Sequence, residues 1–113
     1  MKNILGLIFI LLMVCGSAFA AHTVTLSCTL PSDFGAGSGI NFYRGTAAGA
    51  EAATPINSTP ATTCAFTDPN VVAGQTYYYN ATQVVGTLTS PKSNEANATV
   101  LPYSPPNFTA VAN

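Results

Sequence analysis

Residues 74–85 read Gly74-Gln75-Thr76-Tyr77-Tyr78-Tyr79-Asn80-Ala81-Thr82-Gln83-Val84-Val85. Aromatic, β-branched and amide side chains dominate, and no helical stripe of apolar positions appears. Residues 75–85 are therefore expected to form the longest strand. Period two puts Tyr77, Tyr79 and Ala81 on the inner face, with Tyr78, Asn80 and Thr82 facing out. Upstream, Asp68-Pro69-Asn70 is a turn and residues 71–74 cross between sheets. Before that turn, residues 62–67 form a strand with Cys64 and Phe66 on one side. Downstream, residues 86–91 are expected to be a hairpin loop and residues 94–101 the returning strand.

The rest of the chain is punctuated in the same way. Residues 23–29 alternate Val24, Leu26 and Cys28 against Thr25, Ser27 and Thr29, giving a dry side and a wet side. Residues 31–39 are a loop. In the strand 40–44, Ile40, Phe42 and Arg44 share one face, and Asn41 and Tyr43 share the other. A small-residue loop follows over 45–53. Residues 54–58 are a short edge strand, with Pro55 and Pro60 discouraging further pairing. Six or seven short strands without an intervening helix make an all-β, two-sheet sandwich.

The N-terminus sets the compartment. Met-Lys-Asn is followed by an apolar run from Ile4 to Val14 and by Ser17-Ala18-Phe19-Ala20. A positive start, a short apolar stretch and an Ala-x-Ala site are the pattern of a secretory signal peptide. Residues 1–20 are the expected signal, cleaved after Ala20. Cys15 is no lipoprotein cysteine, because the bulky Val14 precedes it. The remaining 93 residues suffice for one domain and not for two. The expected location is secreted, extracellular or at the cell surface, the periplasm included, with no membrane span left after cleavage.

The mature chain carries only Asp33, Arg44, Glu51, Asp68, Lys92 and Glu95 as charged side chains. With no basic face, nucleic acid and anionic membranes are poor partners. Catalysis lacks its groups as well. His22 is the single histidine and lies near a fraying end, and the four carboxylates are scattered. No nucleophile has a base partner. One histidine beside a new amino terminus does not make a copper site. No enzyme activity, cofactor or metal is expected.

Four segments carry a family resemblance: Asn41-Phe42-Tyr43-Arg44-Gly45-Thr46, Phe66-Thr67-Asp68, Val71-Val72-Ala73-Gly74-Gln75-Thr76-Tyr77-Tyr78-Tyr79 and Ser93-Asn94-Glu95-Ala96. In this order and spacing they resemble bacterial fibronectin type III domains over about residues 22–102, an immunoglobulin-like sandwich. The resemblance implies that Tyr77 is the corner tyrosine, its hydroxyl bonded to backbone a few residues upstream. It also places Cys28 where the family usually has a core tryptophan, with Cys64 on the strand expected to pair with it. In an exported chain the two are expected to form a disulfide, or to be two buried thiols if their strands are offset in register.

A second departure concerns the first strand. The family opens with a strand ahead of Val24, whereas predicted cleavage leaves only Ala21 and His22 there. The tail, residues 103–113, resembles that missing strand. Three readings stand for it: a disordered end, a return to its own domain, or entry into the open edge of another copy, with Phe108, Ala110 and Val111 as the donor residues. The domain plan is thus signal 1–20, domain 21–102 and tail 103–113.

The expected function is a secreted binding or adhesion module with an unnamed protein or carbohydrate ligand. The alternative is a structural subunit that self-associates by head-to-tail donation of its C-terminal strand. Tyr43 and Tyr78, with the loop 86–91, are the candidate contact surface. Arg44-Gly45-Thr46 lacks the carboxylate of the integrin tripeptide and reads as a strand end. Asn57, Asn80, Asn97 and Asn107 each open an Asn-x-Ser/Thr triplet, which leaves glycosylation undecided.

Overall fold

The computed structural model describes residues 21–113; residues 1–20, the expected export signal, lie outside them. The described residues form no helix, and their strands are β1 (Val24–Ser27), β2 (Ser38–Gly45), β3 (Ala65–Asp68), β4 (Thr76–Val85), β5 (Leu88–Thr89) and β6 (Ala96–Thr99). They make two antiparallel sheets. The smaller pairs β1 with β3, and in the larger β4 lies between β2 and the pair β5 and β6. The chain is an all-β sandwich.

Tyr77 and Tyr79 of β4 are buried in the core as their parity requires. Val24, Val71 and Val100 pack with them, and a second cluster gathers Ile40, Phe42 and Cys64. Leu26 and Ile56 touch both clusters and so join them. The Phe42 and Phe66 rings stack with centroids 5.6 Å apart, bridging the two sheets.

Three segments depart from the sequence reading. Residues 54–58 form no strand. They nevertheless follow β2, with Ala52 N–H donating to the Arg44 carbonyl at 3.0 Å, Ile56 N–H to Phe42 at 2.8 Å, and Ile40 and Ala61 exchanging bonds of 2.9 and 2.8 Å. Pro55 and Pro60 break the ladder, and the Asn57 side chain fills the gap. Its Oδ1 accepts Phe42 N–H at 2.9 Å, while its Nδ2 donates to the carbonyls of Ile40 at 2.9 Å and Thr59 at 2.8 Å. A primary amide carries the same donor and acceptor as a peptide unit, so it can stand in for one.

Asn57 is buried, and replacing it with Ala leaves the Phe42 N–H without its partner. The expected loss is about 1–3 kcal/mol in urea unfolding. A loss below about 0.5 kcal/mol would show the gap to be filled by water instead.

The returning strand is the second departure. Residues 86–91 are not all loop, since Leu88 and Thr89 pair with Val85 and Val84. Pro91 then interrupts the ladder, and regular pairing resumes only at Ala96. Two serines stitch the interruption. Ser90 Oγ accepts Gln83 N–H and Ser93 Oγ accepts Ala81 N–H, each at 2.9 Å, while their own N–H groups donate to the same two residues' carbonyls.

Third, Tyr43 and Thr82 are not exposed. Tyr43 is 7% accessible and Thr82 4%, although both point away from the core. Their hydroxyls lie 3.1 Å apart, and the Lys92 ammonium sits 4.7 Å from the Tyr43 ring centroid. The hydroxyl contact and the cation over the ring hold Tyr43 down on this face.

Candidate functional site

The register of the small sheet sets Cys28 opposite Cys64, and Cys28 N–H donates to the Cys64 carbonyl at 3.0 Å. Their Cα atoms are 5.1 Å apart and the two cysteines form a disulfide, so the strands are not offset. Cys64 is buried, whereas Cys28 is exposed at the border of the sandwich. A disulfide fits an oxidising compartment. No helix among the described residues is long and apolar enough to cross a membrane.

Bonded pairs recur at every second residue of an antiparallel ladder. Cys28, Leu26 and Val24 therefore turn their backbone groups toward β3. Thr25 and Ser27 turn theirs the other way, where β1 has no strand partner among the described residues. A cleft of about 270 Å³ runs along this side. Its wall includes every residue from Val24 to Cys28 in succession. Side chains of one strand face cannot line a cleft in unbroken succession, so the strand meets it edge-on. The opposite wall comes from β4 and β6, with Tyr79, Ala81, Ala96 and Ala98, and Phe42 contributes from the core. The lining contains no Asp, Glu, Lys or Arg.

The C-terminal tail begins beside this edge and does not occupy it. The Tyr103 hydroxyl donates to the Ala21 carbonyl at 3.1 Å, and its ring stacks on His22 at 4.1 Å between centroids. These contacts hold the tail at the start of β1. Residues 104–113 are all exposed and form no strand; Phe108 is 85% accessible and Val111 82%. Ala110 is exposed with them.

Tyr77 and the groups around it form a polar knot inside the sandwich. The Tyr77 hydroxyl accepts Val72 N–H at 3.0 Å, five residues upstream. Asp68, 1% accessible, receives Arg44 Nη1 at 3.0 and 2.9 Å, the Tyr79 hydroxyl at 2.9 Å and Asn70 N–H at 3.1 Å. Burial, with the bond to Asp68, pushes the Tyr79 hydroxyl well above its ordinary value. It therefore stays a donor through the neutral range. The carboxylate is buried and has its ligands within the chain, which makes the knot a fastener between sheets. The sequence puts Arg44 on one face with Ile40 and Phe42 and carries no local sign of its counter-ion.

Of the two candidate contact tyrosines, Tyr43 is buried and presents almost no surface to a partner. Tyr78 is half-buried on the outer face of β4. Asn57 is unsuited to carry a glycan, because its amide is buried and bonded at both ends. On the loop side, the Glu51 and Glu95 carboxyls lie against each other. Their contact pushes Glu51 up and holds Glu95 down, with Gly49 N–H also donating to Glu95 at 2.7 Å. Among the described residues no three His, Cys, Asp or Glu side chains gather as metal ligands.

Among the described residues the architecture is a disulfide-bonded, all-β sandwich in which the open edge of β1 lies above an uncharged cleft. No protein-family model matches the chain, and no curated protein matches it.

Proposed function

We propose that this protein is a secreted, non-catalytic binding module of the fibronectin type III kind, and that its binding site is the open edge of β1. The observation that carries this reading is the run of cleft-lining residues from Val24 to Cys28, which presents backbone groups of Thr25 and Ser27 to an incoming chain. An extended peptide segment satisfies such an edge by strand addition, and its alternate side chains enter the cleft. The neutral lining favours a partner segment without charge. The disulfide and the signal-like N-terminus support export. Four landmark segments and the bond from Val72 N–H to the Tyr77 hydroxyl support the fibronectin type III assignment.

The test uses the chain from Ala21 with Phe108→Asp and Val111→Asp, so that the tail does not compete. A blocked peptide of alternating Val and Thr is titrated while backbone amides are followed by NMR. Shifts concentrated at Thr25, Ser27 and residues 96–98 are expected. Shifts confined to Tyr78 and residues 86–91, or no shift at all, would move the site away from β1.

A further inference from the structure

We propose that the segment received by the β1 edge is the C-terminal tail of a second copy, residues 107–112, so that the protein assembles head to tail. The inference rests on reading the β1 edge as a strand-accepting site. It adds the identity of the partner.

Both halves of the contact are present in one chain, and among the described residues neither is used. The acceptor offers the outward backbone groups of Thr25 and Ser27 and an uncharged cleft. The donor is Asn107-Phe108-Thr109-Ala110-Val111-Ala112, without a charged side chain or a proline and accessible throughout. Period two sends Phe108, Ala110 and Ala112 to one face. That face presents one large ring and two methyls to a cleft walled by Ala81, Ala96 and Ala98 beside Phe42 and Tyr79. Val111 and Thr109 then lie on the outer face of the small sheet, where β-branched residues suit a strand.

The anchoring of Tyr103 bears on antiparallel pairing within the same copy. Its contacts with Ala21 and His22 fix the tail's departure at the start of β1. To pair antiparallel with its own β1, the tail must first cross the whole strand to the Cys28 end. At about 3.3 Å per residue, passing Val24 to Cys28 consumes some five residues. Pro105 and Pro106 lie within that crossing, and of the stretch 104–113 about half remains, from which a reversing turn must be taken before any residue can pair. A neighbouring copy whose Cys28 end lies beyond the tail receives it without such a crossing. The contact joins two different surfaces, so each added copy leaves one free tail and one free edge, and the assembly stays open.

Two variants of the chain from Ala21 test this. Thr25→Pro removes an outward N–H and leaves the β1–β3 ladder intact, since edge positions tolerate proline. Phe108→Asp with Val111→Asp spoils the donor and leaves the acceptor. By analytical ultracentrifugation the unaltered chain is expected to grow in mean mass with concentration. Each variant alone is expected to remain at the mass of one chain. A mixture of the two is expected to form pairs, and nothing larger, because one good tail meets one good edge. Pair formation also shows that the Thr25→Pro chain is folded enough to donate.

As a second probe, a peptide of residues 104–113 is added to the tail-altered variant. Saturable 1:1 binding that a scrambled peptide does not show is expected. A single-chain mass for the unaltered protein at every concentration, with no binding of the tail peptide, would overturn the assembly. Association that survives both variants would overturn it too. If the Val/Thr peptide still shifts Thr25 and Ser27 in that case, the β1 edge remains a binding site and only the identity of its partner fails.

Discussion

Reduction of the Cys28–Cys64 disulfide is expected to lower the unfolding free energy by about 4 kcal/mol. The bond spans 36 residues, and closing a loop of that length removes conformational entropy from the unfolded chain roughly to this extent. Among the described residues the small sheet has two strands, and β1 has a neighbour on one side. Without the bond, β1 is held chiefly by its short ladder with β3 and by burial of Val24 and Leu26. Urea unfolding with and without reductant checks the figure, and Cys28→Ser with Cys64→Ser provides the same comparison without reductant. A change below about 1 kcal/mol would mean that the unfolded chain is already compact around these strands.

Asp68→Ala is expected to have the next largest effect, about 3 kcal/mol. The substitution removes the acceptor of Arg44, the Tyr79 hydroxyl and Asn70 N–H together. Breaking a buried ion pair from one side generally costs about 3–5 kcal/mol, because the remaining partner is left uncompensated. Here the Arg44 side chain is 27% accessible and recovers some hydration, which places the value at the lower end. Asp68→Asn keeps an oxygen for the hydroxyl or the amide and is expected to lose roughly half as much. Chemical unfolding of the three proteins at neutral pH checks the order. Equal losses for Asn and Ala would assign the whole effect to charge.

The period-two pattern around Tyr77 and Tyr79 made the largest strand and one core face legible. Short-range alternation is what a sequence records best. The Cys28–Cys64 pairing was implied by the fibronectin type III resemblance, which made their strands neighbours, with strand parity and expected export beside it. The parity of residues 40–44 also set Arg44 on the face of Ile40 and Phe42, yet nothing local identified Asp68 as its partner, 24 residues away across the sandwich. Asn57 was read only as part of a triplet, since a side chain that replaces a ladder bond has no periodic signature. The serines at 90 and 93 escaped for the same reason. Tyr43 was misread because parity tells which face a residue occupies, whereas burial on an outer face depends on neighbours such as Thr82 and Lys92. The open β1 edge was anticipated from the missing opening strand, while the cleft beside it required the two sheets to be placed.

The irregular course of residues 52–61 along β2 has a bearing on misassembly. A regular edge strand would offer a repeating row of amides on which the larger sheet of another molecule could grow. Here that flank is covered by a segment with prolines at 55 and 60, and the groups it would expose at Phe42 and Ile40 are already taken by Ile56, Asn57 and Ala61. Stacking of larger sheets through β2 is thereby blocked, as negative selection against amyloid-like contacts requires. At high concentration this flank then stays inert toward other copies, and Asn57→Ala is the substitution that would begin to expose it.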